Sequence, residues 1–423
     1  MNQNKIVFTE HDLPNGLHII LSPVREQPIV SVNLWYHVGS KDEDPGRTGF
    51  AHLFEHLMFE GSANVRKTEH FKYIQSAGGT LNATTSFDRT NYFETLPANQ
   101  LELALWLESD RMNSLDVSEE NFENQRSVVK EERRQRYDNK PYGRSFEQIL
   151  HHLYPTSGYH WTTIGSMQHL DEASLEEVQA FHNKWYAPNN ASLAISGDFD
   201  SAVALSLIEK YFGDIARKDI PVRSEQYISP ITKKITLTAE DAISLPSVGI
   251  AFQSGKLYSK NDYAMDILAD SLSRGRSSRL YKSLVYEKQL AKQVSAYNLS
   301  LEKTGIFMID CIAQSGVSPE HLEATIWKEL QKLFSEGISG EELERAKNRN
   351  IMNRSQQLQQ LSYRNNSLQQ AYTYKEDAEI ANKELEMLLS IRREDVNGLS
   401  EFFRKEASVV LYTVPKKAGD RFS

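Results

Sequence analysis

The order of apolar and polar positions predicts strands and then helices in the first half of the chain. Short or alternating apolar runs at 5–9, 17–22 and 29–36 are typical of strands, and the Asn15-Gly16 pair favours a tight turn between the first two. After the breaker DPGRTG, the spacing of apolar residues lengthens to that of an amphipathic helix. This helix carries HLFEHLMFE at 52–60, and we expect Gly61 to end it.

The same pattern continues as far as residue 197. The run DEASLEEVQAFHNKWY at 171–186 predicts a helix with an acidic first turn, and ASLAISG at 191–197 predicts a strand. Between these and the first helix, the pattern predicts further helices at 69–76, 97–112 and 118–137 and strands at 80–86 and 90–96.

The second half repeats the first in outline after an irregular stretch at about 214–234, which we interpret as an interdomain linker. YAMDILADSLSRGRSSRL at 263–280 parallels FAHLFEHLMFEGSANV, and SGEELERAKNRNIMNRSQQ at 339–357 parallels SEENFENQRSVVKEERRQR at 118–136. The alternative is that any two α+β halves look alike at this level of detail.

This pairing of the halves has a chemical consequence. It matches His52, Glu55 and His56 with Asp266, Ala269 and Asp270, and Glu132 with Asn353. The sequence therefore predicts a duplicated fold in which only the first half carries the chemistry.

Composition narrows the kinds of function. The 423 residues, 39% hydrophobic and 25% charged, are enough for two soluble domains. A net charge of −9 argues against nucleic acid as the main partner, and no apolar run is long enough for a membrane helix. The single cysteine, Cys311, restricts metal ligands to His, Asp and Glu. Because the N-terminus lacks an apolar export segment, the sequence as it stands favours the cytoplasm; removal of a signal peptide would allow a periplasmic location.

The stretch HLFEHLMFEG at 52–61 holds two histidines one helical turn apart. Positions i and i+4 differ in direction by about 40°, so His52 and His56 can reach one ion with Glu55 nearby. Imidazoles bind zinc, and the order H-x-x-E-H is that of inverted zincins. The apolar neighbours leave a second interpretation open, in which both histidines are hydrogen-bonded core residues.

The helix predicted at 118–137 offers a third ligand, which catalytic zinc requires. On a helical projection Gln125 and Glu132 lie at the centre of the face that apolar side chains bracket, whereas Glu131 points away from it. A carboxylate within a buried stripe is costly unless it is paired or binds a metal. Glu132 is therefore the candidate ligand, although an ion pair with an arginine such as Arg126 would also explain it.

With Glu132 in RSVVKEERRQ, HLFEHLMFEG resembles the signature of the M16 zinc metallopeptidases, which include pitrilysin, the insulin-degrading enzyme and the mitochondrial processing peptidase. GGTLNATTSFDRTNYFETLP, YAPNNASLAISGDF and SSRLYKSLVYEKQLA are also similar to M16 segments in their usual order, so the resemblance covers nearly the whole chain. It implies an α+β fold of two duplicated α/β-sandwich domains (the LuxS/MPP-like type), each a mainly antiparallel sheet packed with helices. We place a zinc-binding catalytic domain at 1–218, a linker at 219–234 and a metal-free domain at 235–423.

The resemblance also implies the roles of individual residues. One Zn²⁺ per chain would be bound by His52, His56 and Glu132, with Glu55 as the general base. LNATTS at 81–86 would be the edge strand to which an extended peptide pairs, an ordinary polar strand being the alternative. The substrate-binding residues would be Asn82, Ala83 and Thr84.

The chain departs from the M16 pattern in two places. Many members have a glutamate that supports the histidines where this chain has Gln125, which can hydrogen-bond but brings no charge. Complete M16 enzymes also place an arginine and a tyrosine in the metal-free half, where alignment on EKQLA finds Val285 and Lys292. If the alignment is shifted, Arg279 or Tyr281 serves instead.

The missing Arg/Tyr pair shapes the predicted function. We expect a zinc metalloendopeptidase that hydrolyses short or unfolded peptides with a zinc-activated water. We expect a heterodimer in which a second M16-like chain supplies the arginine and tyrosine that stabilise the oxyanion. The alternatives are a non-catalytic M16-like peptide-binding or scaffold subunit and a dedicated processing peptidase.

Overall fold

A computed structural model describes residues 5–223 and 227–416, so part of the predicted linker, 224–226, lies outside the described residues. The described chain forms two compact units, each built from three segments. The first unit comprises 5–133, 161–223 and 353–383, and the second comprises 134–160, 227–352 and 384–416.

A six-stranded sheet forms the centre of the first unit, in the order β1-β2-β6-β3-β5-β4. Its strands are β1 Thr9–Asp12, β2 His18–Pro23, β3 Ile29–Tyr36, β4 Thr80–Thr85, β5 Thr90–Pro97 and β6 Ala191–Gly197. All neighbouring pairs are antiparallel except β2 with β6. Strand β4 therefore lies at an edge of this sheet.

The second unit repeats this topology without the outermost strand. Its five-stranded sheet has the order β7-β11-β8-β10-β9, and β7 with β11 is the parallel pair. The strands are β7 Ile235–Asp241, β8 Ser247–Ser254, β9 Ala291–Ser300, β10 Gly305–Ala313 and β11 Ser408–Pro415. Because both sheets place their strands in the same relative order, the predicted α+β fold of two duplicated, mainly antiparallel domains is confirmed.

Helices cover the sheets in both units. In chain order they are α1 Phe50–Leu57, α2 Glu69–Ser76, α3 Leu101–Ser114, α4 Glu119–Arg133, α5 Ser145–Leu153, α6 Met167–Glu172, α7 Leu175–Trp185, α8 Ser201–Phe212, α9 Lys260–Ser273, α10 Pro319–Glu336, α11 Gly340–Gln357, α12 Leu361–Lys375, α13 Ile380–Ser390 and α14 Arg393–Asn397. None of the helices in the described part of the chain has the length and apolar character needed to cross a membrane.

Two of the differences between predicted and observed bounds have local causes. Residues 5–8 are not a strand, because the Asn382 side chain bonds both backbone groups of Ile6, at 2.7 and 3.0 Å. The helix expected from residue 171 is two helices, α6 and α7. Ser174 ends the continuity: its hydroxyl accepts from the Glu177 amide while the Glu177 carboxylate accepts from the Ser174 amide, a capping box that starts α7.

The compact units differ from the contiguous division predicted from the sequence. Helix α12, from the second half of the sequence, packs in the first unit against β3 and β6. Gln369 on α12 donates to the carbonyls of Asn33 and Ser192 at 2.9 and 2.8 Å. Helix α5, from the first half, packs in the second unit against β8 and β11. Each sheet is therefore covered in part by a helix from the other half of the sequence.

Candidate metal centre

Helix α1 presents a polar face and a buried apolar face. Leu53, Phe54 and Leu57 are at most 1% exposed and pack into the unit. The side chains of His52 and His56 keep 12% and 23% exposure on the other face. The apolar residues of HLFEHLMFEG therefore anchor the helix, while its histidines face a partly open site. The helix ends at Leu57, four residues before the expected end at Gly61.

The structure brings His52, His56 and Glu132 together. One ligand atom from each lies within 4.8 Å of the others. His52 Nε2 is 3.6 Å from Glu132 Oε1, and His56 Nε2 is 3.4 Å from Glu132 Oε2. Helix α4, which carries Glu132, packs directly on α1, and the neighbouring Glu131 is exposed. The helical projection thus distinguished the inward glutamate from the outward one.

Glu55 lies beside this cluster and contacts the edge strand. The Thr85 hydroxyl of β4 donates to Glu55 Oε2 at 2.5 Å. Burial raises the pKa of Glu55, while the Thr85 hydrogen bond and the nearby His56 lower it. For His56, burial alone would lower the pKa, but Glu132 and Glu55 raise it above its ordinary value. Thr85 was missed in the sequence; its position at the end of a strand gave no signal for a contact with α1.

Gln125 contacts a histidine as expected and continues into a chain of polar contacts. Its Oε1 lies 3.2 Å from His56 Nδ1, and its Nε2 donates to Glu60 Oε1 at 2.6 Å. Glu60, 7% exposed, is 2.5 Å from the Lys67 ammonium. The negative charge that Gln125 lacks is therefore supplied one residue further out. Glu60 stands in the conspicuous stretch HLFEHLMFEG, but only the fold shows its contact with Gln125.

The predicted substrate residues lie on edge strand β4. Asn82 is exposed and Ala83 is buried, and Ala83 and Thr84 pair with Tyr92 and Asn91 of β5. The Thr84 hydroxyl donates to Asn91 at 2.6 Å, which holds this part of the strand. Since β5 occupies one side of β4, its other side is the edge that an extended peptide could pair with.

The second unit contains the positions at which an Arg/Tyr pair was sought. Val285 packs against the hydrophobic core of that unit, and Lys292 is exposed on β9. The alternative residues have structural contacts: Arg279 bonds both carboxylate oxygens of Glu342, at 2.6 and 2.7 Å, and Tyr281 packs against the same core. Arg279 is therefore engaged in an ion pair within the second unit.

The donor set of the cluster fits a metal ion. Two imidazole nitrogens and one carboxylate are ligands typical of a catalytic zinc that keeps a fourth position open. His52, His56 and Glu132 could hold such an ion, with Glu55 adjacent.

A second cluster with metal-ligand chemistry lies deep in the same unit, formed by His70, Glu94 and Glu108. Arg111 donates to both Glu108 oxygens, so two carboxylates face one guanidinium. A divalent ion would change the summed charge from −1 to +1, whereas one proton would make it zero. Burial and the neighbouring Glu108 raise the pKa of Glu94 well above its ordinary value. The charges therefore favour a protonated Glu94 over a metal at this cluster.

Comparisons with known proteins agree with the arrangement of the two halves. Residues 19–165 match the model of the insulinase family, peptidase family M16, and residues 172–350 match the model described as the peptidase M16 inactive domain. The "inactive" model thus covers sequence that does not contribute His52, His56 or Glu132.

Individual relatives extend the likeness along the chain. The zinc protease PqqE of Helicobacter pylori is 32% identical over 79% of this chain and 76% of that protein. The zinc protease YmxG of Bacillus subtilis is 25% identical over 79% of this chain and 80% of that protein. Among solved structures, a protease from Helicobacter pylori has a TM-score of 0.91 and 29% identity, covering 97% of this chain and all (100%) of that one.

A more distant structure bears on chain length. The periplasmic protease PqqL of Escherichia coli shares the fold with a TM-score of 0.78 at 18% identity, and the match covers 96% of this chain but 47% of that one. Taken with the family models and the identity to PqqE, these likenesses show that the chain belongs to the M16 peptidase family.

Proposed function

We propose that the chain is a zinc-dependent endopeptidase whose metal is bound by His52, His56 and Glu132. The observation that carries the proposal is the convergence of the three ligand atoms within 4.8 Å, next to a carboxylate that a hydroxyl from the edge strand orients. The names of the relatives PqqE and YmxG, both zinc proteases, support zinc as the metal.

In this mechanism Glu55 moves the proton. Zinc held by His52, His56 and Glu132 would supply Lewis acidity and make the attacking water more acidic. Glu55 accepts a proton from the attacking water and returns it to the leaving amine. Thr85 holds one Glu55 oxygen and so fixes the carboxylate while the other oxygen handles the proton.

The substrate would be a short or unfolded peptide in extended form. Strand β4 offers its free edge, and pairing through backbone groups near Asn82, Ala83 and Thr84 would bind many sequences because it does not depend on side chains. A folded protein would have to unwind a segment before it could pair in this way.

The absence of Arg and Tyr at 285 and 292 leads to the second part of the proposal, a heterodimer with another M16-like chain. That partner would supply donors to the developing oxyanion, each worth about 10²–10³ in rate. The match to PqqL covers 47% of the PqqL chain. PqqL is therefore an example of this fold combined with further sequence in one protein. The alternative of a scaffold subunit is disfavoured because all four residues of the site are present.

Two measurements test the proposal. Elemental analysis should find one zinc per chain, and Glu55→Gln should keep the zinc while peptide hydrolysis falls by about 10²–10⁴-fold. A zinc-free native chain would indicate a scaffold. Purified alone, the chain should cleave an unfolded peptide slowly, and addition of an M16-like chain that has the Arg/Tyr pair should accelerate cleavage. Full activity without a partner would refute the heterodimer but leave the zinc site standing.

A further inference from the structure

Strand β4, the edge with which a substrate would pair, has little hydrophobic support of its own. Of its six residues, Thr80–Thr85, Ala83 alone is buried, and β5 is its one neighbour in the sheet of the described chain. A polar strand of this kind specifies its register weakly, and a slip of one residue turns every side chain to the opposite face. Polar contacts therefore have to hold β4 in the register that brings Thr85 to Glu55.

Two neighbouring threonines hold the end of β4 from opposite faces of the sheet, because successive side chains of a strand point to opposite sides. The Thr85 hydroxyl donates to Glu55 of α1 on one face. On the other face, the Thr84 hydroxyl donates to Asn91 Oδ1 at 2.6 Å. Arg89, in the turn between β4 and β5, donates from Nη1 to the Thr84 carbonyl and to Asn91 Oδ1, both at 2.9 Å, and to the Thr84 hydroxyl. Thr84, Arg89 and Asn91 thus form a closed set of hydrogen bonds, here called the Thr84 clamp.

The Thr84 clamp continues across the sheet to a helix. Asn91 Nδ2 donates to Asn33 Oδ1 at 2.9 Å, and Asn33 Nδ2 donates to Asn366 Oδ1 of α12 at 2.9 Å. Asn33 and Asn91 are at most 1% exposed, and the Arg89 guanidinium lies 5.5 Å from the centre of the Trp35 ring. Hydrogen bonds in such an interior are stronger than those exposed to water. The end of β4 is therefore anchored on packed elements of the first unit and not on its turn alone.

We propose that Arg89 is a positioning residue of the peptidase site, which holds Thr84 so that the open edge of β4 is in place to pair with an extended peptide. The proposal rests on the proposed peptidase function. When only a fraction of the molecules has the strand in place, the apparent affinity for the peptide falls by that fraction. A bound peptide itself pairs with β4 and restores its position, so loss of Arg89 changes KM and leaves kcat nearly unchanged.

Steady-state hydrolysis of an unfolded peptide, under the conditions in which the native full chain is active, tests the proposal. Arg89→Gln should raise KM about tenfold or more, with little change in kcat and with one zinc per chain retained. Arg89→Lys keeps a cationic donor for Thr84 and should recover part of the affinity. Arg217→Gln, the same change at an exposed position of the first unit, should leave KM and kcat as they are. Hydrogen exchange of the amides at 80–86 should become at least about tenfold faster in Arg89→Gln, because it reports directly how well β4 is held.

Thr84→Val tests the Thr84 clamp even if Arg89→Gln fails to fold, since it removes one hydroxyl and keeps the shape of the side chain. It should also raise KM, and the double variant should be no worse than Arg89→Gln alone, because both changes break the same set of bonds. An unchanged KM in the single variants, unchanged exchange at 80–86, additive effects in the double variant or loss of zinc in Arg89→Gln would each overturn the proposal. A native chain that hydrolyses no peptide would instead refute the proposed function, and this proposal with it.

Discussion

Substitution of Glu43 tests whether one buried carboxylate fixes the start of the helix that carries the candidate metal ligands. Glu43 Oε1 accepts from the Ala51 amide at 2.8 Å, and Oε2 accepts from the Gly49 amide at 2.9 Å and from the Trp161 indole at 3.0 Å. Burial raises the pKa of Glu43, and these three donors oppose the rise because they favour the ionised carboxylate. Since all three partners are N–H donors, the ionised carboxylate satisfies them best.

The expected loss of stability follows from the number of N–H groups that bond the Glu43 carboxylate. Glutamine has one carbonyl oxygen, so in Glu43→Gln the amide nitrogen must face at least one N–H group. A lost bond with an unsatisfied buried donor costs about 1–3 kcal/mol. Glu43→Ala removes all three bonds and leaves a void, for about 3–5 kcal/mol. Because Ala51 directly precedes His52, we also expect zinc affinity to fall at least about tenfold in the alanine variant.

Urea unfolding followed by circular dichroism measures the stability, and competition with a chelator measures the zinc affinity. Asp44→Asn is the matched control, since Asp44 is exposed in the same loop and asparagine can still accept from the Gly46 amide. If Glu43→Ala unfolds at the urea concentration of the native chain and binds zinc equally well, Glu43 does not position α1.

Three further predictions concern the first unit. Glu132→Gln should abolish stoichiometric zinc while Glu131→Gln retains it, by elemental analysis; the reverse would contradict the assignment of faces on α4. Thr85→Val should lower kcat about tenfold at unchanged zinc content, because the general base loses the hydroxyl that donates to it, and an unchanged kcat would show that Thr85 does not orient it. Above the ordinary carboxyl pKa of 4.5, the folded chain retains a proton on Glu94 that the unfolded chain releases, so rising pH lowers the unfolding free energy by up to about 1.4 kcal/mol per unit. Glu94→Gln should make this fall with pH shallower in urea titrations of the zinc-free chain above about pH 5, and identical slopes would exclude a protonated Glu94.

Local patterns were enough to find several elements of the first unit. Helix α2, strand β5 and strand β6 have clear periodicity between strong breakers, and their bounds were predicted within one residue. The inward direction of Glu132 also came from periodicity alone, because a helix of 15 residues fixes which side chains share a face. Such features depend on neighbours within a few turns of the same element.

The contacts that complete the site join residues far apart in sequence, and no local pattern specifies them. Glu60 contacts Gln125 because the residues that follow α1 lie against α4, and Glu55 contacts Thr85 because α1 lies against β4. Trp161 likewise contacts Glu43 in the loop before α1 only through the fold. From the sequence, Gln125 indicated that the negative charge supporting the histidines in other M16 members is absent. Its contact with Glu60 shows that a charge can move outward by one residue while the histidine keeps its hydrogen-bond partner.

The packing of α12 on the sheet of the first unit also depends on contacts between residues far apart in sequence. The strands β3 and β6 are buried, yet the face that α12 covers carries the polar side chains of Ser31, Asn33, Ser192 and Ser196, each at most 2% exposed. Buried polar groups need partners, and α12 provides them: Asn365 donates to the Ser31 carbonyl and accepts from the Ser196 hydroxyl. A sheet whose covered face is polar selects a helix with amides at matching positions, so the pairing of α12 with this sheet is specified by hydrogen bonding rather than by hydrophobicity.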